Sequence, residues 1–129
     1  MSKAKVAIIE DDHIISQMYR MKFESNGYEI EVASNGQAGI DLVKRFKPDI
    51  ILLDLKMPGM NGDECLKEIR KADWGKNIPV IILTNISLEE SPKALQGLDI
   101  ANYILKAEST PKQVVAITET TIIACKDKK

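Results

Sequence analysis

Short apolar runs alternate with stretches of helical periodicity along this chain, and the alternation narrows the possible folds more than any other feature of its 129 residues. Val6 to Ile9 is the first run. Ile50 to Leu53 and Val80 to Leu83 are continuous and rich in β-branched residues, as strands are when helices cover both faces of a parallel sheet. Glu29-Ile30-Glu31-Val32 alternates instead, which predicts an edge strand with one wetter face. Ala101 to Leu105 reads as a fifth strand. A βαβα order of this kind builds a parallel sheet joined by crossover helices. The expected fold class is therefore α/β, a (βα)₅ doubly wound open sheet.

The intervening segments carry their own punctuation. Ile14, Ile15, Met18, Tyr19 and Phe23 recur at helical spacing, and Asn26-Gly27 stops that helix. Gly36 to Phe46 is a second helix, ended before Pro48, and Asp63 to Ala72 a third, with Leu66 and Ile69 turned inward. The fourth is the poorest. Pro92 confines its start to about Ser91 and Gly97 offers an early C-cap, so it should be short and loosely held. Thr110-Pro111-Lys112-Gln113 then gives a complete start signal: Thr110 as N-cap, Pro111 in the first helical position and Gln113 as capping-box partner. Val114, Ile117 and Thr121 are expected to face inward from that last helix.

A chain of this length, without repeats, low-complexity segments or a linker, is expected to form one domain over residues 1–129. Hydrophobic residues at 44% and charged residues at 29% argue against disorder and against a disulfide scaffold. The net charge of −1 supplies no basic face to neutralise nucleic-acid phosphates, and Lys126, Lys128 and Lys129 read as a solvated terminus. Cys65 and Cys125 have neither zinc nor redox spacing and are expected as packing residues in a reducing compartment. No run approaches the roughly 18–20 apolar residues of a membrane span, and none near the start has the form of a secretory leader. A cytoplasmic location without membrane contact is expected.

Chemistry gathers at one rim. Glu10-Asp11-Asp12 follows the first strand, Asp54 the third, and Lys106 the fifth, while Thr84 ends the fourth. A doubly wound sheet binds its ligands beyond the carboxyl ends of its strands. Clustered carboxylates raise one another's pKa and are tolerated when a cation sits among them. An all-oxygen acidic site suits Mg²⁺, which keeps waters that a phosphate can replace.

Three segments carry a family resemblance: Ile8-Ile9-Glu10-Asp11-Asp12, the run from Pro48 through Asp54-Leu55-Lys56-Met57-Pro58-Gly59 to Gly62, and Tyr103-Ile104-Leu105-Lys106. Through them the chain resembles the response-regulator receiver family over essentially its whole length. The resemblance implies a flavodoxin-like sheet with strand order 2-1-3-4-5. It implies that Asp54 accepts a phosphoryl group, that Glu10, Asp11, Asp54 and the backbone carbonyl of Lys56 hold Mg²⁺, and that Lys106 binds the phosphate. Thr84 is implied as the switch hydroxyl and Tyr103 as the switch aromatic. A histidine kinase or phosphotransfer protein is the implied donor and a downstream protein the implied output partner. Such a chain catalyses only its own phosphorylation and dephosphorylation.

Taken singly, these residues have plainer explanations. Acids after strands are often helix caps, and Asp12 before His13-Ile14 reads as one. Thr84 alone would be a strand terminus, Tyr103 a core aromatic and Lys106 a solvated charge. Their convergence at successive strand ends carries the argument. His13 is expected as an exposed first-turn residue, and Trp74 as a cover for the end of the third helix. Three departures from the family pattern stand out: Asn85 where a small residue is usual, which narrows access to Asp54; Ala107 where proline is usual; and an altered segment between Gly97 and Tyr103. A trans bond is expected between Lys106 and Ala107, because cis before a non-proline residue costs about 2.5–4 kcal/mol. Other functions fit less well. A phosphorylation-independent binding module would not need the Asp54, Thr84 and Lys106 set. An aspartate-nucleophile phosphohydrolase would have a second acid where Lys56 stands, and a flavin carrier would have a phosphate-cradling loop after the first strand.

Overall fold

The computed structural model describes residues 3–127. Lys128 and Lys129 of the basic tail lie outside the described residues. The element order is β1 (Lys5–Ile9), α1 (His13–Ser25), β2 (Glu29–Ala33), α2 (Gly36–Phe46), β3 (Ile50–Leu53), α3 (Gly62–Lys71), β4 (Val80–Thr84), β5 (Asn102–Leu105) and α4 (Pro111–Asp127). All strand pairs are parallel, in the order β2-β1-β3-β4-β5. β2, whose sequence alternates, lies at an edge as expected.

Strand periodicity divides the core into two layers. Ala7, Ile9, Ile51, Leu53 and Ile82 point to one face and pack with Leu42, Val43 and Phe46 of α2 and Leu66 and Ile69 of α3. Their neighbours Val6, Ile8, Ile50, Leu52, Ile81 and Leu83 point to the other, against Tyr19 and Phe23 of α1 and Val114, Val115 and Ile122 of α4. Successive side chains of a strand alternate faces, so a continuous apolar run serves both layers. Trp74 packs against the α2/α3 layer, as expected for a cover over the end of α3.

Two local readings change, those of the fourth and last helices, and α1 shows a division that spacing alone left open. No α-helix forms between β4 and β5; the crossover holds two 3₁₀ turns, Leu88–Glu90 and Lys93–Gly97, divided by Ser91 and Pro92. Proline lacks the N–H that would bond the preceding turn, and Gly97 lies too close behind for an α-helix to pass it. On α1, Tyr19 and Phe23 are buried with Ser16, whereas Ile14 is 83% exposed and Met18 42%. The apolar positions of that helix form two stripes, and the sheet takes only the 15/19/23 stripe. On α4 the inward residues are Val114, Val115, Thr118 and Ile122; Ile117 and Thr121 are half buried. Thr118 can enter the core because its hydroxyl donates to the carbonyl of Val114 at 2.8 Å.

The helix starts follow the sequence signals. Asp12 caps α1, its Oδ1 accepting from the N–H groups of Ile14 and Ile15 at 2.9 and 3.1 Å. His13 is exposed in the first turn. Before α4, Thr110 N donates to Gln113 Oε1 at 2.8 Å and Gln113 N to Thr110 Oγ1 at 3.2 Å, both halves of a capping box. No described peptide bond is cis, that between Lys106 and Ala107 included.

Candidate functional site

Parallel strands that all run one way deliver the residues after β1, β3 and β5, and the last residue of β4, to one edge of the sheet. Register brings them level: Ile9 pairs with Leu53 and Thr84 with Leu105, so Glu10, Asp54 and Lys106 each stand one residue beyond a paired position. They line a cavity of about 560 Å³ together with Asp11, Lys56, Thr84 and Asn85.

Asp54 is 7% exposed and Glu10 4%. One carboxylate oxygen from each of Glu10, Asp11 and Asp54 lies within 4.8 Å of the others. Lys106 Nζ donates to Asp54 Oδ2 at 2.9 Å and also to Glu10 Oε1. The Lys56 N–H approaches Asp54 Oδ1 at 3.4 Å. Burial is the main cause that pushes the Glu10 carboxyl up to about 7, with the Asp54 charge adding to it and the Lys106 bond opposing it. Burial by itself would lower the Lys106 ammonium, but its bonds to Glu10 and Asp54 outweigh that and leave it raised. The site thus holds two sheltered carboxylates against one ammonium, with exposed Asp11 beside them. Such an all-oxygen set fits Mg²⁺.

On the opposite wall, Thr84 is 1% exposed, and its Oγ1 accepts from Ile86 N at 3.4 Å. Tyr103, half buried, turns its hydroxyl toward the segment after β4 and donates to the Ile86 carbonyl at 2.5 Å, with Ser87 O at 3.4 Å. Tyr103 does not line the cavity around Asp54, but it shares Ile86 with Thr84. Asn85 is exposed at the mouth.

The loop after β3 explains the density of turn residues between Asp54 and α3. Gly59 takes φ +80°, which side-chain-bearing residues rarely adopt. Gly62 is fixed by proximity instead: a Cβ there would stand 2.1 Å from the Asp54 carbonyl oxygen and 2.8 Å from Leu55 Cα. Its own N–H donates to Leu55 O at 2.8 Å, which seats the start of α3 against the strand end. Gly62→Ala is expected to cost about 1–3 kcal/mol, the usual price of overpacking a rigid site. Urea unfolding measures it, and unchanged stability would show that the contact yields.

Two features escaped the sequence reading. Arg70 directs its guanidinium to four backbone carbonyls, and carbonyls leave no mark in residue identity. The second is the exposed α1 stripe: Ile14 and Met18 recur at helical spacing with Tyr19 and Phe23, but they lie exposed together with Met21.

Comparison with known proteins agrees with this geometry. The response regulator receiver domain model matches residues 6–119. The polar-differentiation response regulator DivK of Brucella anthropi is 30% identical over 112 residues, covering 87% of this chain and 91% of that protein. Sporulation initiation phosphotransferase F of Bacillus subtilis is 39% identical over 84 residues, 65% of this chain and 66% of that one. Some relatives are much longer: YkoG of Bacillus subtilis, 33% identical over 108 residues, is spanned over only 46% of its length. Among solved structures, the chemotaxis response regulator CheY4 of Vibrio cholerae superposes with a TM-score of 0.83 at 25% identity, covering 92% of this chain and 98% of that one. With the sheet order, the acidic cluster beside Asp54 and the matched 6–119 segment all in agreement, this chain belongs to the response regulator receiver domain family.

Proposed function

We propose that this chain is a phosphorylatable switch in which Asp54 takes a phosphoryl group from a histidine kinase or phosphotransfer protein. The observation that carries it is the placement of Asp54: a sheltered carboxylate within 4.8 Å of two further acids and 2.9 Å from the Lys106 ammonium. In the transfer an Asp54 oxygen bonds to phosphorus while the bond from phosphorus to the donor's imidazole nitrogen breaks, its electron pair leaving with the nitrogen. Phosphoryl transfer demands mainly positioning and charge neutralisation. Lys106 supplies one positive charge. Mg²⁺, held by Glu10, Asp11, Asp54 and the Lys56 carbonyl, would neutralise charge on the phosphoryl oxygens.

The acyl phosphate carries roughly −1.5 to −2 charge in place of the single charge of the carboxylate, and presents three acceptor oxygens beside Thr84. Drawing the Thr84 hydroxyl toward it removes an acceptor from Ile86 N, and Ile86 is also where the Tyr103 hydroxyl is held. A downstream protein partner would read that displacement. Incubation with acetyl phosphate and Mg²⁺ tests the proposal: intact mass should show one added phosphoryl group, and no addition under any Mg²⁺ concentration would sink it. A cytoplasmic location goes with this reading, as does catalysis confined to the chain's own phosphorylation and dephosphorylation. No helix among the described residues is long and apolar enough to cross a membrane.

A protein donor has to approach over the same rim, and α1 offers it a surface there. Ile14 and Met21 are 83% and 69% exposed, beside a groove that includes Met18 and Pro111, with Lys22 and Lys112 at its margin. An amphipathic helix with acidic flanks fits such a groove. Ile14→Asp is expected to slow transfer from a phosphorylated kinase domain about tenfold. Uptake from acetyl phosphate should be unchanged. Equal slowing with both donors would place the defect at Asp54 rather than in docking.

A further inference from the structure

The crossover from β4 to β5 is built unlike the others. α1, α2 and α3 have 13, 11 and 10 residues. Residues 85–101 have only their two 3₁₀ turns, and Leu95 is the one buried side chain among them. Turns of that kind bond poorly and do not hold a segment in place by themselves. Apart from Leu95, which is seated in the core, what holds this one comes from outside it, at two ends. At the upper end, nearest Asp54, the Tyr103 hydroxyl grips the carbonyls of Ile86 and Ser87.

At the lower end stands Arg70, in the last turn of α3. Its Nε donates to Leu98 O at 2.9 Å and its Nη2 to Asp99 O at 2.9 Å. Its Nη1 donates to Gly75 O and Ile78 O, both at 2.8 Å, and so ties the same point to the loop before β4. Asp99 takes φ +54°, a left-handed conformation uncommon for a residue with a side chain, and its carbonyl is among those held. The two clasps are unequal. A phenol has one proton to donate, whereas the guanidinium spreads charge-assisted bonds over a rigid planar fork.

We propose that Arg70 is a positioning residue of the switch: it fixes the lower end of the 85–101 crossover as a hinge, so that release of the upper clasp swings the segment about Leu98 and Asp99 without loosening β5. What releases the upper clasp rests on the function proposed above. The hinge itself belongs to the unmodified protein.

Amide hydrogen exchange by NMR on the full chain separates the two ends. Glu90 and Ser91 N–H groups report the upper end through their bonds to Ser87 O and Leu88 O. Leu98 and Ala101 report the lower end through Leu95 O and Val80 O, and Asp54 N, bonded to Ile9 O, reports the core. Tyr103→Phe should speed exchange at Glu90 and Ser91 and leave Leu98 and Ala101 unchanged. Arg70→Gln should speed Leu98 and Ala101 by about tenfold or more and leave Asp54 unchanged. Arg70→Lys, which keeps the charge and can hold some of the carbonyls, should fall between wild type and Arg70→Gln, and decides the matter if the glutamine variant does not fold. Acceleration at Leu98 in Tyr103→Phe as large as at Glu90, uniform acceleration of all reporters in Arg70→Gln, or no change at Leu98 in either arginine variant would each overturn the hinge. Beryllium fluoride with Mg²⁺, a phosphoryl mimic, adds a second readout: shift changes along the crossover should end before Leu98 in wild type and run on through Leu98 to Ala101 in Arg70→Gln, while Tyr103, which holds the upper clasp, should shift in both. A wild type that does not respond to the mimic counts against the role given to Asp54, while the exchange rates still decide the hinge.

Discussion

Asp54→Asn is expected to abolish phosphorylation. The carboxylate oxygens carry the charge that attacks phosphorus, and the amide oxygen that replaces them is a far poorer nucleophile. The change is nearly isosteric, so the loss is chemical and not a failure to fold. The Asp54 charge is among the causes that raise Glu10, and removing it relieves a repulsion inside the cluster. Stability of the variant should therefore match or exceed that of the parent. Uptake from acetyl phosphate should fall by at least about a hundredfold, which intact mass reads as complete loss. A stoichiometric adduct that persists in Asp54→Asn would put the acceptor elsewhere in the molecule.

Asp11→Ala and Asp12→Ala are expected to fail in opposite ways, although the two residues are adjacent and both exposed. Asp11 contributes an oxygen to the three-carboxylate set, whereas Asp12 spends Oδ1 on the first amides of α1. Removing a carboxylate that holds the ion should weaken Mg²⁺ binding by roughly a hundredfold. It should leave metal-free stability intact, because one negative charge leaves a crowded acidic rim. Removing the cap should cost about 1 kcal/mol of stability and change Mg²⁺ affinity little. Calorimetric Mg²⁺ titration and thermal melting of both variants give the four values needed. Equal loss of affinity in the two would overturn the division of labour.

The placement of these residues was legible in the sequence because parallel topology converts linear order into position. Once the apolar runs are read as strands, Glu10, Asp54, Thr84 and Lys106 have only one rim to occupy. Capping signals were equally readable, since Asp12 and the Thr110/Gln113 pair act on amides two or three residues away. Less could be read where the decisive partner is remote or is backbone. Ile14 and Met18 share apolar character with Tyr19 and Phe23, and only the position of the sheet determines which stripe is covered. Thr118 enters the core because a hydroxyl can be satisfied by its own helix, an option that composition does not reveal. In the crossover after β4, Pro92 and Gly97 announced a weak helix, and the chain resolved the conflict by forming none. Arg70 could not have been singled out, because its partners Leu98 and Asp99 lie far along the chain and offer only main-chain oxygen.

The contact between Gly62 and the Asp54 carbonyl sets the direction in which a signal can travel. With backbone against backbone and no side chain between, that wall of the pocket is incompressible, and α3 behind it is seated on Leu66 and Ile69, both fully buried. Under the proposed function, volume added at Asp54 has to be accommodated on the far side, where Thr84 leads into a stretch with little buried weight. The pocket is in effect a piston with one fixed end, and its stroke points toward Ile86.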